Sequence, residues 1–107
     1  MKNHIQDGKT ISFTPTADVA SGEAVLLGIL LVVAIGAIAA NTSGEGVTEG
    51  VFELPKLSTD VVAQGAALYW DNTNKRLTVT ASGNTLVGKA WDAAGNGKAT
   101  VWVKINA

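Results

Sequence analysis

The chain has 107 residues, a formal net charge of −1 and no cysteine. This length predicts a single domain with a modest hydrophobic core. The near-neutral charge offers little to the phosphates of a nucleic acid or to an acidic membrane, and the absence of cysteine excludes disulfides, thiolate catalysis and thiolate zinc sites.

The chain starts with a polar stretch, residues 1–16, which we expect to form an N-terminal arm. Within it, residues 11–14 alternate apolar and polar side chains, which predicts a short strand, and Pro15 confines such a strand to a sheet edge. The arm is either a tail with an edge strand or a segment that pairs with the sheet of a partner. We expect residues 17–107 to form one β domain.

An apolar run, residues 24–40, follows the arm and contains no charged or amide side chain. A membrane helix needs about 20 apolar residues and basic residues at its ends, whereas the nearest charged residues here are glutamates and two glycines interrupt the run. A small membrane protein remains an alternative. We instead predict two buried strands, residues 24–27 and 29–35, with a tight turn near Gly28.

The second half of the chain resembles the first. V-A-S-G-E-A-V-L-L-G at residues 19–28 aligns with V-A-Q-G-A-A-L-Y-W-D at residues 62–71. Three further pairs of blocks follow in the same order: residues 31–33 with 77–79, 43–46 with 94–97, and 51–54 with 102–105. Such self-similarity indicates one supersecondary unit used twice, with halves at about residues 19–54 and 62–105.

Alternating polar and apolar residues in the second half are typical of half-buried strands. The predicted strands of this half cover residues 66–70, 76–80, 85–90 and 100–105. The prediction is an all-β fold, a small β-barrel or sandwich-like domain built from two similar halves. It includes an extended N-terminal arm and at most one short helical turn, within residues 56–64.

Few residues of this chain are suited to catalysis or to binding metal. His4 is the single histidine and has no neighbouring cluster of carboxylates, and the nine carboxylates are scattered, mostly in turns. The segment G-N-G-K-A-T at residues 95–100 departs from a phosphate loop, because Ala99 stands where a serine or threonine should follow the lysine. We therefore predict no catalytic residue, no metal ligand and no cofactor, and hence no enzyme.

The three tryptophans are Trp70, Trp91 and Trp102, and core packing is the simplest prediction for each. In residues 100–105 the two valines and the isoleucine share one face, so Trp102 lies on the opposite face. Exposed aromatic side chains are enriched at protein contacts, so we expect Trp102 at an interface.

Five segments of the chain carry a family resemblance: M-K-N-H-I-Q-D-G-K-T-I at residues 1–11, D-V-A-S-G-E-A-V-L-L-G at 18–28, E-G-V-F-E-L-P-K at 49–56, Q-G-A-A-L-Y-W-D at 64–71 and V-W-V-K-I at 101–105. They resemble a family of small proteins from tailed phages and prophages that act as capsid decoration, or cement, proteins. Relatives often carry polar or glycine positions in the part that matches residues 29–40, which is apolar here. The family has also been labelled a RecA/RadA-type recombinase, a label that the missing phosphate loop contradicts.

The resemblance implies a β-rich structural virion protein that binds the outer surface of an expanded phage capsid. Its partner would be the major capsid protein, whose neighbouring subunits it would hold together against the pressure of DNA. It would act as a homotrimer at three-fold and quasi-three-fold axes, after synthesis in the cytoplasm of a bacterial host. We expect neither a nucleic acid nor a membrane as partner.

The residues predicted at capsid or subunit contacts come from the arm, the apolar run and the tryptophans. They are Asn3, His4, Ile5, Ile11, Phe13, Leu30, Val32, Trp70 and Trp102. The alternative function is a glycan-binding or adhesin-like β-module, in which the tryptophans would serve as platforms for sugar rings.

Overall fold

A computed structural model describes residues 9–107, and within that range the chain forms nine β-strands and no helix. The strands are β1 (Thr10–Phe13), β2 (Ala24–Leu27), β3 (Leu30–Ala34), β4 (Gly44–Val47), β5 (Val51–Pro55), β6 (Ala67–Asp71), β7 (Arg76–Thr78), β8 (Thr85–Ala90) and β9 (Thr100–Ile105). The all-β prediction is therefore confirmed.

The strands form two antiparallel sheets that pack against each other. Sheet I has the strand order β1-β4-β3-β2, and sheet II has the order β5-β9-β8-β6-β7. In sheet II the two edge strands come together at a single parallel bridge between Lys56 and Leu77, where the backbone N–H of Leu57 donates to the Leu77 carbonyl at 2.9 Å. The fold is sandwich-like, as predicted, and is not a closed barrel.

The apolar run folds back on itself as predicted. β2 and β3 pair antiparallel, from Ala24 opposite Val33 to Leu27 opposite Leu30. Gly28 begins the two-residue turn with φ of 63°, a left-handed conformation that glycine adopts without steric cost. Within residues 9–107, no helix has the length and apolar character that crossing a membrane requires.

β3 is buried on both faces, which explains its unbroken apolar sequence. Leu31 and Val33 face sheet II and enter the principal core, while Val32 and Ala34 face away from it. The other buried members of the principal core are Ala24, Leu54, Val62, Leu68, Trp70, Leu77, Val87, Ala90, Ala94, Val101, Val103 and Ile105. Each large aliphatic side chain that is fully buried stabilises the fold by about 1.5–3 kcal/mol relative to exposure.

A second, smaller cluster covers the opposite face of sheet I. Its buried members are Phe13, Val19, Val32, Ala34 and Ile38. Two glycines of β4 make room for it, because a Cβ on Gly44 would overlap the Ile38 side chain and a Cβ on Gly46 would overlap that of Val32. The glycine-rich sequence of β4 is therefore a packing requirement of this cluster.

The hydrogen bonds repeat between the two halves of the chain. Val19 and Ile38 exchange two backbone hydrogen bonds, both of 2.8 Å, and Val62 and Ala94 exchange two of 2.8 and 2.9 Å. The strand order repeats as well, since β1-β4-β3-β2 of sheet I corresponds to β5-β9-β8-β6 of sheet II. β7 is an additional strand, which follows β6 in the sequence and lies at the edge of sheet II beyond it.

This correspondence corrects part of the predicted repeat. The alignment of residues 19–28 with 62–71 relates β2 to β6 and agrees with the structure. The other three pairs of blocks do not, because the counterpart of β3 is β8 rather than β7, that of β4 is β9, and that of β5 is β1. The short apolar strings of every strand look alike, and the extra β7 shifts the spacing. The division into an arm of residues 1–16 and a domain of residues 17–107 stays a prediction.

Asn106 ties the end of sheet II to sheet I. Its Oδ1 accepts the N–H of Leu31 at 3.0 Å, and its Nδ2 donates to the carbonyls of Leu31 and Thr48 at 2.8 and 2.6 Å. β3 and β4 pair only at Val33 and Ala34 and have separated before they reach Leu31. The amide of Asn106 thus occupies the place that a neighbouring strand would take.

We predict that Asn106→Gly lowers the free energy of unfolding by about 3 kcal/mol, at about 1 kcal/mol for each lost hydrogen bond. Asn106 has φ of 57°, so glycine preserves the backbone and removes only the amide. Urea unfolding followed by circular dichroism measures the change. Lys75→Gly is the matched control, because Lys75 has φ of 55° in an exposed turn. A loss for Asn106→Gly no larger than that for the control would contradict the role of the amide.

Gly88→Ala should destabilise the β8–β9 pair by about 1–3 kcal/mol through overpacking. A Cβ on Gly88 would overlap the backbone carbonyl of Lys104 on β9, and a backbone group cannot rotate away. Gly95→Ala is the control, since no atom lies within 4 Å of its Cβ position. Thermal unfolding compares the two variants, and equal melting temperatures would refute the prediction.

Candidate functional site

The described residues offer no evident catalytic centre. Within residues 9–107, no three histidine, cysteine or acidic side chains are grouped so that they could hold a metal ion. Hydrogen bonds from the side chain and backbone of Asn74, together with that from the Thr73 backbone, hold the pKa of the Asp71 carboxyl below its usual value. Asp71 caps the β6–β7 turn in this way. The candidate site is therefore sought among exposed apolar side chains.

The solvent-facing side of sheet II carries two exposed tryptophans. β9 alternates as predicted, with Val101 and Val103 buried and Trp102 on the opposite face with half of its side chain, 50%, exposed. Trp91 directly follows the buried Ala90 at the end of β8 and is 51% exposed. Large aromatic side chains left half in solvent are typical of contact surfaces.

The two indoles are held by specific contacts. Trp102 lies opposite Glu53 in the β5–β9 register, and its Nε1 donates to the Glu53 Oε2 at 3.0 Å. The backbone N–H of Trp91 donates to the backbone carbonyl of Trp102 at 2.8 Å, and the Lys104 Nζ lies 6.0 Å from the centroid of the Trp91 ring, a cation–π contact. We call Glu53, Trp91, Trp102 and Lys104 the tryptophan patch. Because these contacts already restrain the rings, a partner would find them largely preorganised.

A shallow depression with charged and polar walls borders the tryptophan patch. A cavity of about 200 Å³ beside Trp102 is lined in part by Asp92, Lys98 and Thr100. On the other side, the Nε2 of Gln64 donates to the Trp91 carbonyl at 3.3 Å. An aromatic centre with a polar, mixed-charge rim is the usual anatomy of a protein–protein interface.

The predicted contact residues of the arm and β1 have different positions. Asn3, His4 and Ile5 lie outside the described residues. Ile11 and Phe13 belong to β1, where Phe13 is buried in the smaller cluster and Ile11 packs against it in part. β1 is an edge strand of sheet I, as the nearby Pro15 predicts.

The remaining predicted residues are divided between surface and core. Leu30 is partly buried at the β2–β3 hairpin, beside Ile29, which is 81% exposed and which the sequence did not single out. Val32 is buried, and Trp70 is only 2% exposed, with its Nε1 donating to Asn72 Oδ1 at 3.2 Å. Neither of these two side chains offers surface to a partner. Trp102 is the predicted residue that lies at an exposed aromatic surface.

Trp91 is the functional candidate that the sequence analysis did not select. It follows β8 directly, and the alternation in that strand, with Ala90 turned inwards, predicts an outward side chain at the next position. The signal was therefore present, because the predicted strand of residues 85–90 ends where β8 ends.

Comparison with known proteins assigns the chain to a family. The sequence profile of a family described as phage cement protein matches residues 5–105, a span that includes both sheets and the tryptophan patch. No curated protein and no solved structure matches the chain significantly. The match covers nearly all of the sequence and confirms the resemblance found from its segments. The chain therefore belongs to the phage cement protein family.

Proposed function

We propose that this protein decorates the outer surface of an expanded phage capsid and cements neighbouring major capsid subunits against the pressure of packaged DNA. The observation that carries the proposal is membership of the phage cement protein family, which indicates a structural, capsid-associated role. The tryptophan patch supports it, because two restrained, half-exposed indoles form a ready contact surface.

The mechanism is adhesion without catalysis, and neither a cofactor nor a metal takes part. Three copies around each three-fold or quasi-three-fold axis would each contact the capsid. Once one copy of a trimer is bound, the other two copies are held at a high effective concentration near their own capsid sites. The major capsid protein is the partner. The protein is made in the cytoplasm of the bacterial host and resides in the virion.

The fold suits such a role because the tryptophan patch lies on β-strands and not on long loops. The tryptophan patch lies on β5 and β9 and at the end of β8, three neighbouring strands of sheet II. Asn106 joins this sheet to sheet I through three hydrogen bonds. A load applied at the tryptophan patch would therefore be carried by two packed sheets rather than by loops.

The proposal is tested by mixing the purified protein with undecorated, expanded capsids and determining the occupancy by electron microscopy. Stoichiometric density at the three-fold and quasi-three-fold axes is the expected result. Capsids that stay bare at saturating protein concentration would refute the proposal.

Trp102→Ala should weaken capsid binding by about 30-fold, the factor that corresponds to about 2 kcal/mol for a central aromatic contact. Its effect on the free energy of unfolding should be smaller than its effect on binding, since half of the side chain is already exposed. Val79→Ala is the control, because Val79 is exposed and follows β7, three strands away from β9 in the order of sheet II. Equal binding by both variants, or a loss of stability that matches the loss of binding, would contradict the assignment.

A glycan-binding or adhesin-like module is the second candidate, because Trp91 and Trp102 are both exposed. The contact of Lys104 with the ring of Trp91 argues against it, since a sugar stacks on the same aromatic face that the ammonium approaches. Oligosaccharide binding by isolated protein that does not bind capsids would favour this alternative.

A further inference from the structure

Among residues 9–107, β2 forms an uncovered edge of sheet I. The order of that sheet places β1 at one edge and β2 at the other. The edges of sheet II meet at the bridge between Lys56 and Leu77, but within residues 9–107 no strand covers β2. β2 has the sequence A-V-L-L and contains neither the charged residue nor the proline that commonly protects an edge.

The register identifies the backbone groups that β2 turns outwards. The N–H of Ala34 donates to the Glu23 carbonyl at 3.0 Å, which makes these two residues a hydrogen-bonded pair. Because such pairs alternate along an antiparallel ladder, Val25 points its N–H and carbonyl at β3, whereas Ala24 and Leu26 point theirs away from it. Two donors and two acceptors are thus available to an added strand.

A cleft lies on each side of this edge. One has a volume of about 290 Å³, and its walls include Pro15, Val19, Val25 and Leu27. The other has a volume of about 230 Å³ and separates the start of β2 from residues 53–55 and Trp70. Successive side chains of an extended segment paired with β2 would enter the two clefts in turn, which is the geometry of recognition by strand addition.

The charges that line the two clefts favour a positively charged segment as the added strand. Their walls carry the carboxylates of Asp18, Glu23 and Glu53 and the ammonium of Lys75, an excess of negative charge. The segment that precedes β1, residues 1–9, has the opposite balance, with two lysines and one aspartate. In an extended conformation its Ile5 would share a face with Asn3, opposite Lys2 and His4, so that Ile5 would enter the cleft beside Val25 and Lys2 the cleft beside Glu53.

The length and attachment of this segment indicate a second copy of the chain. Residues 1–8 span up to about 27 Å when extended, about twice the 13 Å that the four residues of β2 occupy. They lead into β1, which lies at the edge of sheet I opposite β2. Copies that each give a segment at one edge and receive one at the other associate head to tail, and such an interface forms a ring when the rotation between copies closes, as it does around a three-fold axis.

We propose that residues 1–8 of one copy add as a strand to the β2 edge of a neighbouring copy, with Ile5 in the cleft beside Val25. This inference specifies how copies of the protein would contact each other, and it rests on the proposed function only for the presence of several copies at one axis. It assigns the segment to a second copy and not to the capsid.

Disulfide trapping tests the proposal directly, because the chain has no cysteine of its own. Val25 is a non-hydrogen-bonded position towards an added strand, where paired side chains lie close enough for a disulfide. Purified Ile5→Cys protein is mixed with Val25→Cys protein that carries a size tag, and the mixture is oxidised mildly, both free and on capsids. Ile5→Cys mixed with Val61→Cys is the control, since Val61 is 70% exposed and lies outside β2.

We expect the Ile5–Val25 heterodimer to form at least about 10-fold faster than the control pair, since a docked segment has a high effective concentration. Raised salt should slow its formation, because the charges involved are exposed. Cross-linking above the control, free or on capsids, supports the proposal. A rate equal to the control in both settings overturns it. A set of capsid proteins with single cysteines serves as a second partner for Val25→Cys. A disulfide between Val25→Cys and one of them, with no Ile5–Val25 heterodimer, also overturns the proposal.

A double variant, Ile5→Cys with Val25→Cys in one chain, separates docking within a copy from docking between copies. Intramolecular disulfides together with no heterodimer in the mixed experiment would overturn the exchange between copies. Deletion of residues 1–8 should reduce self-association, measured by sedimentation, and leave the melting temperature unchanged. Heterodimers from protein that fails to bind capsids would refute the proposed function while supporting this inference, so the two failures are distinguishable.

Discussion

The burial of β3 on both faces is the constraint on which the rest of the molecule depends. One face, with Leu31 and Val33, completes the principal core beneath sheet II, and the other, with Val32 and Ala34, supports the smaller cluster. A strand covered on both sides cannot alternate polar and apolar residues. The long apolar run, which resembles a membrane segment in composition, thus includes a strand that is covered on both faces.

The sequence predicted the parts of the fold where periodicity is strong. The β2–β3 hairpin and the outward position of Trp102 followed from glycine placement and from the alternation in β9. β4 was not recognised, because its sequence G-E-G-V has the composition of a loop. Its glycines are needed only because Ile38 and Val32 pack onto them, and such long-range packing cannot be seen in local sequence.

Lys56 shows a second limit of sequence reasoning. It is buried, and its Nζ donates to the carbonyls of Leu57 and Asp60 at 3.0 and 2.7 Å. This ammonium organises the turn after β5, where the sequence allowed a helical turn. A lysine is normally expected in solvent, and its partners here are backbone carbonyls, which leave no trace in the choice of neighbouring side chains. Trp70 is a similar case, since its burial depends on the position of sheet I.

The internal repeat also clarifies the candidate site. The N–H of Ile35 donates to the Glu45 carbonyl at 3.1 Å, the same contact that joins Trp91 to Trp102 in the other half. One architecture therefore presents an aliphatic and an acidic residue on sheet I and two aromatic residues on sheet II. From the sequence alone, a contact site could be predicted only at Trp102, where an aromatic residue stands on the polar face of a strand.

The bridge between Lys56 and Leu77 has a consequence for how the protein behaves at high concentration. By joining the end of β5 to β7, it shortens the margin of sheet II that another chain could extend, whereas β2 is uncovered along its length among the described residues. Precipitation during overproduction would then start from sheet I, and a lysine placed in β2 would be the natural remedy for insoluble material.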